Sequence, residues 1–206
     1  MAFKLADGCI VPDMTGIEEG YGIRTNDAGE YWITVNVSAE NIEDIFLGLS
    51  ALVSEPTFGI VEVPTHRSYE EELSIENSEH FHKDTYFRDN TGVEDLKMLL
   101  NLNADLFIHD GILKFGFACK KSRDEVYVGK YKVFRIFTND ARKYVQYLRG
   151  RGFSYREPLR TVWDNFTNER PGECHRLTRN GEDAFALVDR LVGEGFLFHY
   201  FTEDGY

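Results

Sequence analysis

Two histidines that stand two residues apart, His80 and His82, could hold a metal ion. On an extended segment both imidazoles would lie on one face, and Asp84 is near enough in sequence to supply an oxygen ligand. Zinc and other divalent ions accept this donor set, which would suit a hydrolase or a transferase. Because no third histidine stands at a spacing typical of zinc proteins, we favour an ordinary polar segment and predict no metal ion and no other cofactor.

The adjacent residues Cys174 and His175 raise the question of thiol catalysis. A thiol nucleophile needs a base within hydrogen-bonding reach, but neighbouring residues point in different directions, and known thiol catalysts use a histidine distant in sequence. His66, His109 or His199 could meet Cys174 in the fold. Because no local signature surrounds the cysteine, we favour a buried or incidental thiol and predict no catalytic residue.

The most acidic stretch of the chain, residues 69–80, has the composition of a protein-binding surface. Residues 1–100 carry 20 acidic and 6 basic side chains, and residues 101–206 carry 15 and 17, so the first half holds all of the excess negative charge. Such a field attracts basic proteins and repels nucleic acid and anionic membranes. The predicted partner-binding residues are five glutamates that would steer the partner and two aromatic residues that would pack against it: Tyr69, Glu70, Glu71, Glu72, Glu76, Glu79 and Tyr86.

We therefore predict a protein-binding module whose acidic surface engages a basic protein partner. A small, acidic, single-domain chain is similar in profile to the bacterial immunity proteins, which neutralise nuclease toxins by blocking the substrate's site, and this likeness implies an immunity or antitoxin type of inhibitor with a toxin as partner. As the alternative, the acidic residues form an ordinary hydrated surface that keeps the protein in solution and binds no partner. A hydrolase or transferase, with a site near His80, His82 and Asp84 or near Cys174, is the alternative for the function.

Two glycine pairs, in "LRGRGF" and "LVGEGF", suggest a phosphate-binding loop but follow a predicted helix instead of preceding one. The C-terminus of a helix presents carbonyl oxygens, which repel phosphate. We interpret both pairs as helix stops, with Gly150 and Gly193 in the left-handed position that ends a helix. The matching patterns of residues 139–153 and 182–196 indicate a repeated helix-to-strand element, and chance similarity of two amphipathic helices is the alternative.

Local periodicity predicts the elements that must position these residues. Alternating apolar residues predict strands in "EYWITVNV" and "FGIVEV", and Asp110 and Gly111 between "LFIH" and "ILKFGF" predict a tight β-hairpin. Residues 64–90 lack clear periodicity, and we interpret them as an acidic excursion from the main core. Apolar stripes with helical spacing predict four helices, which begin near Ser38, near a capping box of Thr91 and Glu94, near Asn139 and near Asp183.

The 206 residues are predicted to form a single α+β domain, with about eight strands and four helices around a mainly antiparallel or mixed sheet. Hydrophobic residues make up 42% of the chain, which is enough for a sizeable core, and no linker divides it. Two ferredoxin-like halves sharing one sheet would fit, and an edge strand such as "FLFHYF" would allow a homodimer.

The cellular location is predicted from segments that the sequence lacks. No signal peptide is visible, and no apolar run approaches the roughly 20 residues that cross a bilayer, so no membrane association is expected. Three widely spaced cysteines do not indicate a disulfide framework. We therefore expect a cytoplasmic protein.

Overall fold

The alternating and helical patterns of the chain form a sheet with helices on one face. The computed structural model describes residues 2–66 and 82–203, except for the side chains of residues 200–203. The strands are β1 (Cys9–Ile10), β2 (Gly20–Thr25), β3 (Tyr31–Asn36), β4 (Phe58–Pro64), β5 (His82–Asp89), β6 (Lys114–Cys119), β7 (Asp124–Val128), β8 (Phe134–Thr138), β9 (Glu173–Cys174), β10 (Thr178–Arg179), β11 (Glu182–Asp183) and β12 (Leu197–Glu203). The α-helices of the described residues are α1 (Ile42–Ser50), α2 (Val93–His109), α3 (Ala141–Gly150) and α4 (Ala184–Gly193).

Eight strands form one antiparallel sheet in the order β12-β5-β4-β6-β7-β8-β3-β2. This confirms the predicted single α+β domain with a mainly antiparallel sheet. The β5-α2-β6 connection passes over one strand, as in a ferredoxin-like unit, whereas β3-α1-β4 passes over three, so the two connections differ. β12, which contains most of "FLFHYF", is an outer strand of the sheet, and its use in a homodimer stays a prediction.

The main core lies between the helices and one face of the sheet. Phe46 of α1 packs edge-on against Phe115 of β6 and Phe134 of β8, with ring centroids 4.8 and 6.3 Å apart. Leu148 of α3 and Leu187 of α4 are fully buried in the same cluster. Each such side chain contributes about 1.5–3 kcal/mol relative to an exposed position. A second, smaller core cluster joins the N-terminal segment to residues that lie between or after the strands of the main sheet. Its N-terminal members are Ala6, Cys9 and Ile17, and the others are Tyr131, Val133 and Val162.

The predicted hairpin at Asp110 and Gly111 is wrong. α2 continues to His109, and Asp110 ends it with an extended backbone before the chain enters β6. Four apolar-rich residues, "LFIH", fit a strand or a buried helix face equally well, because a short run does not reveal its period. The same helix begins one residue later than predicted. The capping residue is Gly92 instead of Thr91, and its N–H donates to the carboxylate of Asp95 in the first turn.

Part of the predicted excursion at residues 64–90 belongs to the sheet. Residues 82–89 form β5, which pairs with β4 on one side and β12 on the other. This strand can be polar in sequence because its polar groups have partners across the sheet. Lys83 and Thr85 both donate hydrogen bonds to Glu62 of β4.

The two glycine pairs end α3 and α4 in the same way. The N–H of Phe153 donates to the Leu148 carbonyl, and the N–H of Phe196 donates to the Leu191 carbonyl, each at 3.0 Å. In each case the glycine just before the phenylalanine has a positive φ, 88° at position 152 and 101° at position 195. This is the Schellman arrangement. The left-handed residues are therefore not Gly150 and Gly193, which lie in the last helical turn.

This assignment predicts opposite effects for two glycines two residues apart. Gly152→Ala is expected to lower the free energy of unfolding by about 1 kcal/mol, because a Cβ is disfavoured at positive φ even though the site is open. Gly150→Ala, also in open space but helical, is expected to raise it by up to about 0.5 kcal/mol. Urea denaturation of both variants measures the difference, and equal effects would contradict the assignment.

Candidate functional site

Most of the predicted partner-binding residues lie outside the described part of the chain. These are Tyr69, Glu70, Glu71, Glu72, Glu76 and Glu79, together with the candidate metal ligand His80. Tyr86 is described and is half-buried in β5, where its ring lies 5.6 Å from that of Phe198. Burial raises the pKa of its hydroxyl. Tyr86 is thus partly enclosed within the sheet, and its role in partner binding stays a prediction.

His82 and Asp84 lie on one face of β5, as their spacing predicts for an extended segment. The Asp84 carboxylate accepts a hydrogen bond from the Thr65 hydroxyl at 2.7 Å. Among residues 2–66 and 82–203, no three histidine, cysteine or acidic side chains are grouped so that they could hold a metal ion. The metal alternative therefore gains no support from the residues that the structure describes.

A cleft of about 570 Å³ with carboxylates at its rim lies between the N-terminal segment and the turn before α1. We call it the carboxylate cleft. Its apolar lining includes Phe3, Met14 and Ile17, and its acidic lining consists of Glu18, Glu19 and Glu40.

Hydrogen bonds from a backbone N–H and a side-chain amide fix one of the three carboxylates, and the other two are exposed. The Glu19 carboxylate accepts the Ser38 N–H at 3.0 Å and the Asn41 side-chain amide at 2.8 Å. Glu18 pairs with Arg156, and Glu40 pairs with Lys4. Exposed ion pairs of this kind contribute little to stability, so a basic side chain of another protein can replace Lys4 or Arg156 at little cost in free energy. Residues 2–66, which supply the whole lining, carry eleven acidic and two basic side chains.

Cys9 and Cys174 face each other on two short antiparallel strands. They are direct partners in the β1-β9 ladder, and we call them the cysteine pair. The next pair along the ladder is Gly8 and His175, whose backbones share a 2.7 Å hydrogen bond from the His175 N–H to the Gly8 carbonyl. Hydrogen-bonded and non-hydrogen-bonded pairs alternate, so the cysteines occupy the closer kind of site, with Cα atoms about 4.5 Å apart.

Hydrogen bonds polarise the cysteine pair. The pKa of Cys174 is lowered to about 6, mainly because the Cys9 thiol donates to the Cys174 sulfur and also because of hydrogen bonds from Tyr131 and the charge of Lys130. The same hydrogen bond, together with burial, raises the pKa of Cys9. Cys9 is buried and Cys174 is half-buried, so Cys174 is the thiolate of the pair and the one closer to solvent. The adjacent His175 is exposed and lies 3.0 Å from Glu173.

A buried lysine stands beside the cysteine pair on a strained turn. Lys132 is only 3% exposed, and its ammonium donates to the Leu113 carbonyl at 2.6 Å. Burial lowers its pKa to about 8, an effect that the charges of Cys9 and Asp110 partly offset. Tyr131 and Lys132 both have a φ of 56°, which is unfavourable for residues other than glycine and is often found at functional sites.

A second polar network, on the sheet face away from the helices, was not predicted. Tyr127 lies over Gly116, where a Cβ would approach its ring to 3.0 Å, and its hydroxyl donates to Glu62 two strands away. Glu62 also accepts hydrogen bonds from Lys83 and Thr85. A carboxylate with three donors is fully satisfied, so the arrangement serves the sheet. Burial and the nearby charge of Glu62 raise the pKa of the neighbouring Glu125.

Comparison with known proteins found no matching family model, no matching curated protein and no matching solved structure. Along residues 2–66 and 82–203, every helix is too short or too polar to cross a lipid bilayer. Functional inference therefore depends on the carboxylate cleft and the cysteine pair. The lining of the cleft comes from residues 2–41, whereas the two cysteines are brought together by strands that are far apart along the chain.

Proposed function

We propose that this protein is a binding module that engages a basic protein partner through its acidic N-terminal half. The observation that carries the proposal is the carboxylate cleft, where Glu18, Glu19 and Glu40 surround an apolar lining. A lysine or arginine side chain has an apolar stem and a cationic head, so it matches this arrangement along its whole length. An inhibitor of the immunity or antitoxin type is the form of this function that the sequence favours.

Charge and local structure support the cleft as a docking site for a cationic side chain. The hydrogen bonds from Ser38 and Asn41 hold Glu19 in place, so little conformational entropy is lost when a partner binds there. The excess of acidic residues in the first half of the chain would attract a basic partner from a distance and speed its encounter. The glutamates between Glu70 and Glu79 add to this field.

Peptides that carry one arginine or lysine between apolar residues test the proposal, with neutral glutamine peptides as the reference. Fluorescence anisotropy should detect binding to the basic peptides that weakens as salt increases. In the E18Q/E40Q variant we expect the affinity to fall at least about tenfold, or 1.4 kcal/mol, because two charges are lost at the contact. Removing three glutamates of the acidic stretch at residues 69–80, as E70Q/E71Q/E72Q, separates the contribution of that stretch to binding from the contribution of the cleft.

The matched control is E55Q/E169Q, which removes two negative charges at exposed positions that do not line the cleft. Its affinity should stay within about twofold of the wild type, since only the long-range field changes. Equal losses in E18Q/E40Q and E55Q/E169Q would mean that net charge alone attracts the peptides. Equal affinities for the basic peptides and the neutral glutamine peptides would reject the cleft as a docking site.

A further inference from the structure

Cys9 and Cys174 have the geometry needed to form a bond with each other. They are direct partners at a non-hydrogen-bonded site of an antiparallel ladder. Cα atoms at such sites are typically about 4.5 Å apart, which is at the lower end of the roughly 4.4–6.8 Å range of disulfides. Both are free thiols in this structure. The two strands are held in register by hydrogen bonds on one side of the pair, so oxidation would require no change in the fold.

We propose that the cysteine pair is a hydroperoxide-reactive dithiol centre in which Cys174 attacks the peroxide and Cys9 resolves the product. Cys174 is the half-buried member, open to a small oxidant, and Cys9 lies behind it in the second core cluster. A reactive thiolate next to a resolving thiol is the arrangement found in peroxide-sensing and peroxide-reducing cysteines. This inference is independent of partner binding.

The reaction proceeds in two balanced steps. The Cys174 thiolate attacks the terminal oxygen of the hydroperoxide ROOH, the O–O bond breaks, and the alkoxide leaves and takes a proton to become the alcohol. Cys174 is now a sulfenic acid. The Cys9 sulfur then attacks the Cys174 sulfur, the S–O bond breaks, and the hydroxide leaves as water with the proton of Cys9. Two thiols are oxidised to one disulfide, and the peroxide is reduced to alcohol and water.

The surroundings of the cysteine pair favour the first step. The Cys9 thiol and Tyr131 donate hydrogen bonds that stabilise the Cys174 thiolate and hold its pKa near 6, so the nucleophile is already ionised at neutral pH. The Lys132 ammonium is close enough to act on both sulfurs and stabilises negative charge on either. The charged and titratable groups that act on the pair are Asp110, Lys130, Tyr131 and Lys132, and Glu173 acts on Tyr131.

Oxidation of the reduced protein by stoichiometric hydrogen peroxide tests the proposal. Thiol titration should show the loss of two of the three cysteines, and peptide mapping should locate one disulfide between Cys9 and Cys174. Cys119 is buried and serves as the internal control, so C119S should react at the wild-type rate. C174S should react at least about tenfold more slowly, because the low-pKa nucleophile is gone. C9S should accumulate a Cys174 sulfenic acid that dimedone traps.

The rate should follow the ionisation of Cys174, with a midpoint near pH 6. Tyr131→Phe removes one hydrogen bond to the thiolate and should move this midpoint to higher pH while the circular dichroism spectrum stays unchanged, which a purely structural role of Tyr131 would not produce. Oxidation of Cys119 before Cys174, or C174S reacting as fast as the wild type, would overturn the proposal. So would overoxidation of Cys174 in the wild type without any Cys9-Cys174 disulfide.

Discussion

Asp110→Ala is expected to lower the free energy of unfolding by about 3–5 kcal/mol. The carboxylate is fully buried and accepts three backbone hydrogen bonds, from the N–H groups of Ile112 and Leu113 at 2.9 Å and of Leu177 at 2.7 Å. Alanine would leave three buried donors without partners, each at a cost of about 1–3 kcal/mol. The ammonium of Lys132 would also lose the nearby negative charge.

Urea denaturation measures this loss, and two further variants show its origin. Asp110→Asn keeps one acceptor oxygen but presents an amide group in place of the other, so about half of the loss is expected. Asp105→Ala removes an exposed carboxylate from the same helix, α2, and should change stability by less than about 0.5 kcal/mol. A loss below about 1 kcal/mol in Asp110→Ala would mean that water or backbone rearrangement replaces the carboxylate.

Lys132→Met is expected to change the pH dependence of stability by about 3 kcal/mol. The native pKa of Lys132 is about 8, against an ordinary value of 10.5, because burial disfavours the charged amine. Between these values the unfolded chain binds more protons than the native chain, so the wild type gains stability as the pH rises from about 8 to 10.5. Below pH 8 the wild type bears the full cost of the buried charge, about 3 kcal/mol.

Methionine has a similar volume and no charge, so this pH-dependent contribution disappears in Lys132→Met. The stability of the variant relative to the wild type should therefore be highest below pH 8 and fall by about 3 kcal/mol toward pH 10.5, on top of a constant offset for the unpaired Leu113 carbonyl. Using the difference between the two proteins cancels the contributions of titrating groups that do not interact with Lys132. Lys120→Met, at an exposed position, should give a difference that varies by less than about 0.5 kcal/mol over the same range.

The parts of the fold that the sequence predicted correctly are those with a local signal. The stripe of Ile45, Phe46 and Leu49 has helical spacing and forms the buried face of α1. Asp140 and Asp183, in the first turns of the two repeated patterns, cap α3 and α4 by accepting hydrogen bonds from backbone N–H groups two or three residues later. These signals involve residues within about four positions of one another, so a single sequence is enough to read them.

The parts that could not be predicted depend on contacts between distant segments. Asp110 looks like a turn residue until Leu177, 67 positions later, donates to its side chain. β5 reads as a polar excursion because its partner Glu62 lies on another strand. Cys174 was considered with histidine, whereas its partner is Cys9, which is 165 positions earlier and adjacent only because β1 pairs with β9. No local periodicity encodes such pairings.

The pairing of β4 with β5 is fixed by residues on both sides of the stretch 67–81. Thr65 and His82, which flank this stretch, are joined by a 3.0 Å hydrogen bond from the Thr65 N–H to the His82 carbonyl, so the sheet itself brings the two flanking residues together. Because the ladder consists of backbone hydrogen bonds, we expect substitutions among the glutamates from Glu70 to Glu79 to leave the pairing of β4 with β5 unchanged. The charge of this stretch could then vary without loss of the sheet.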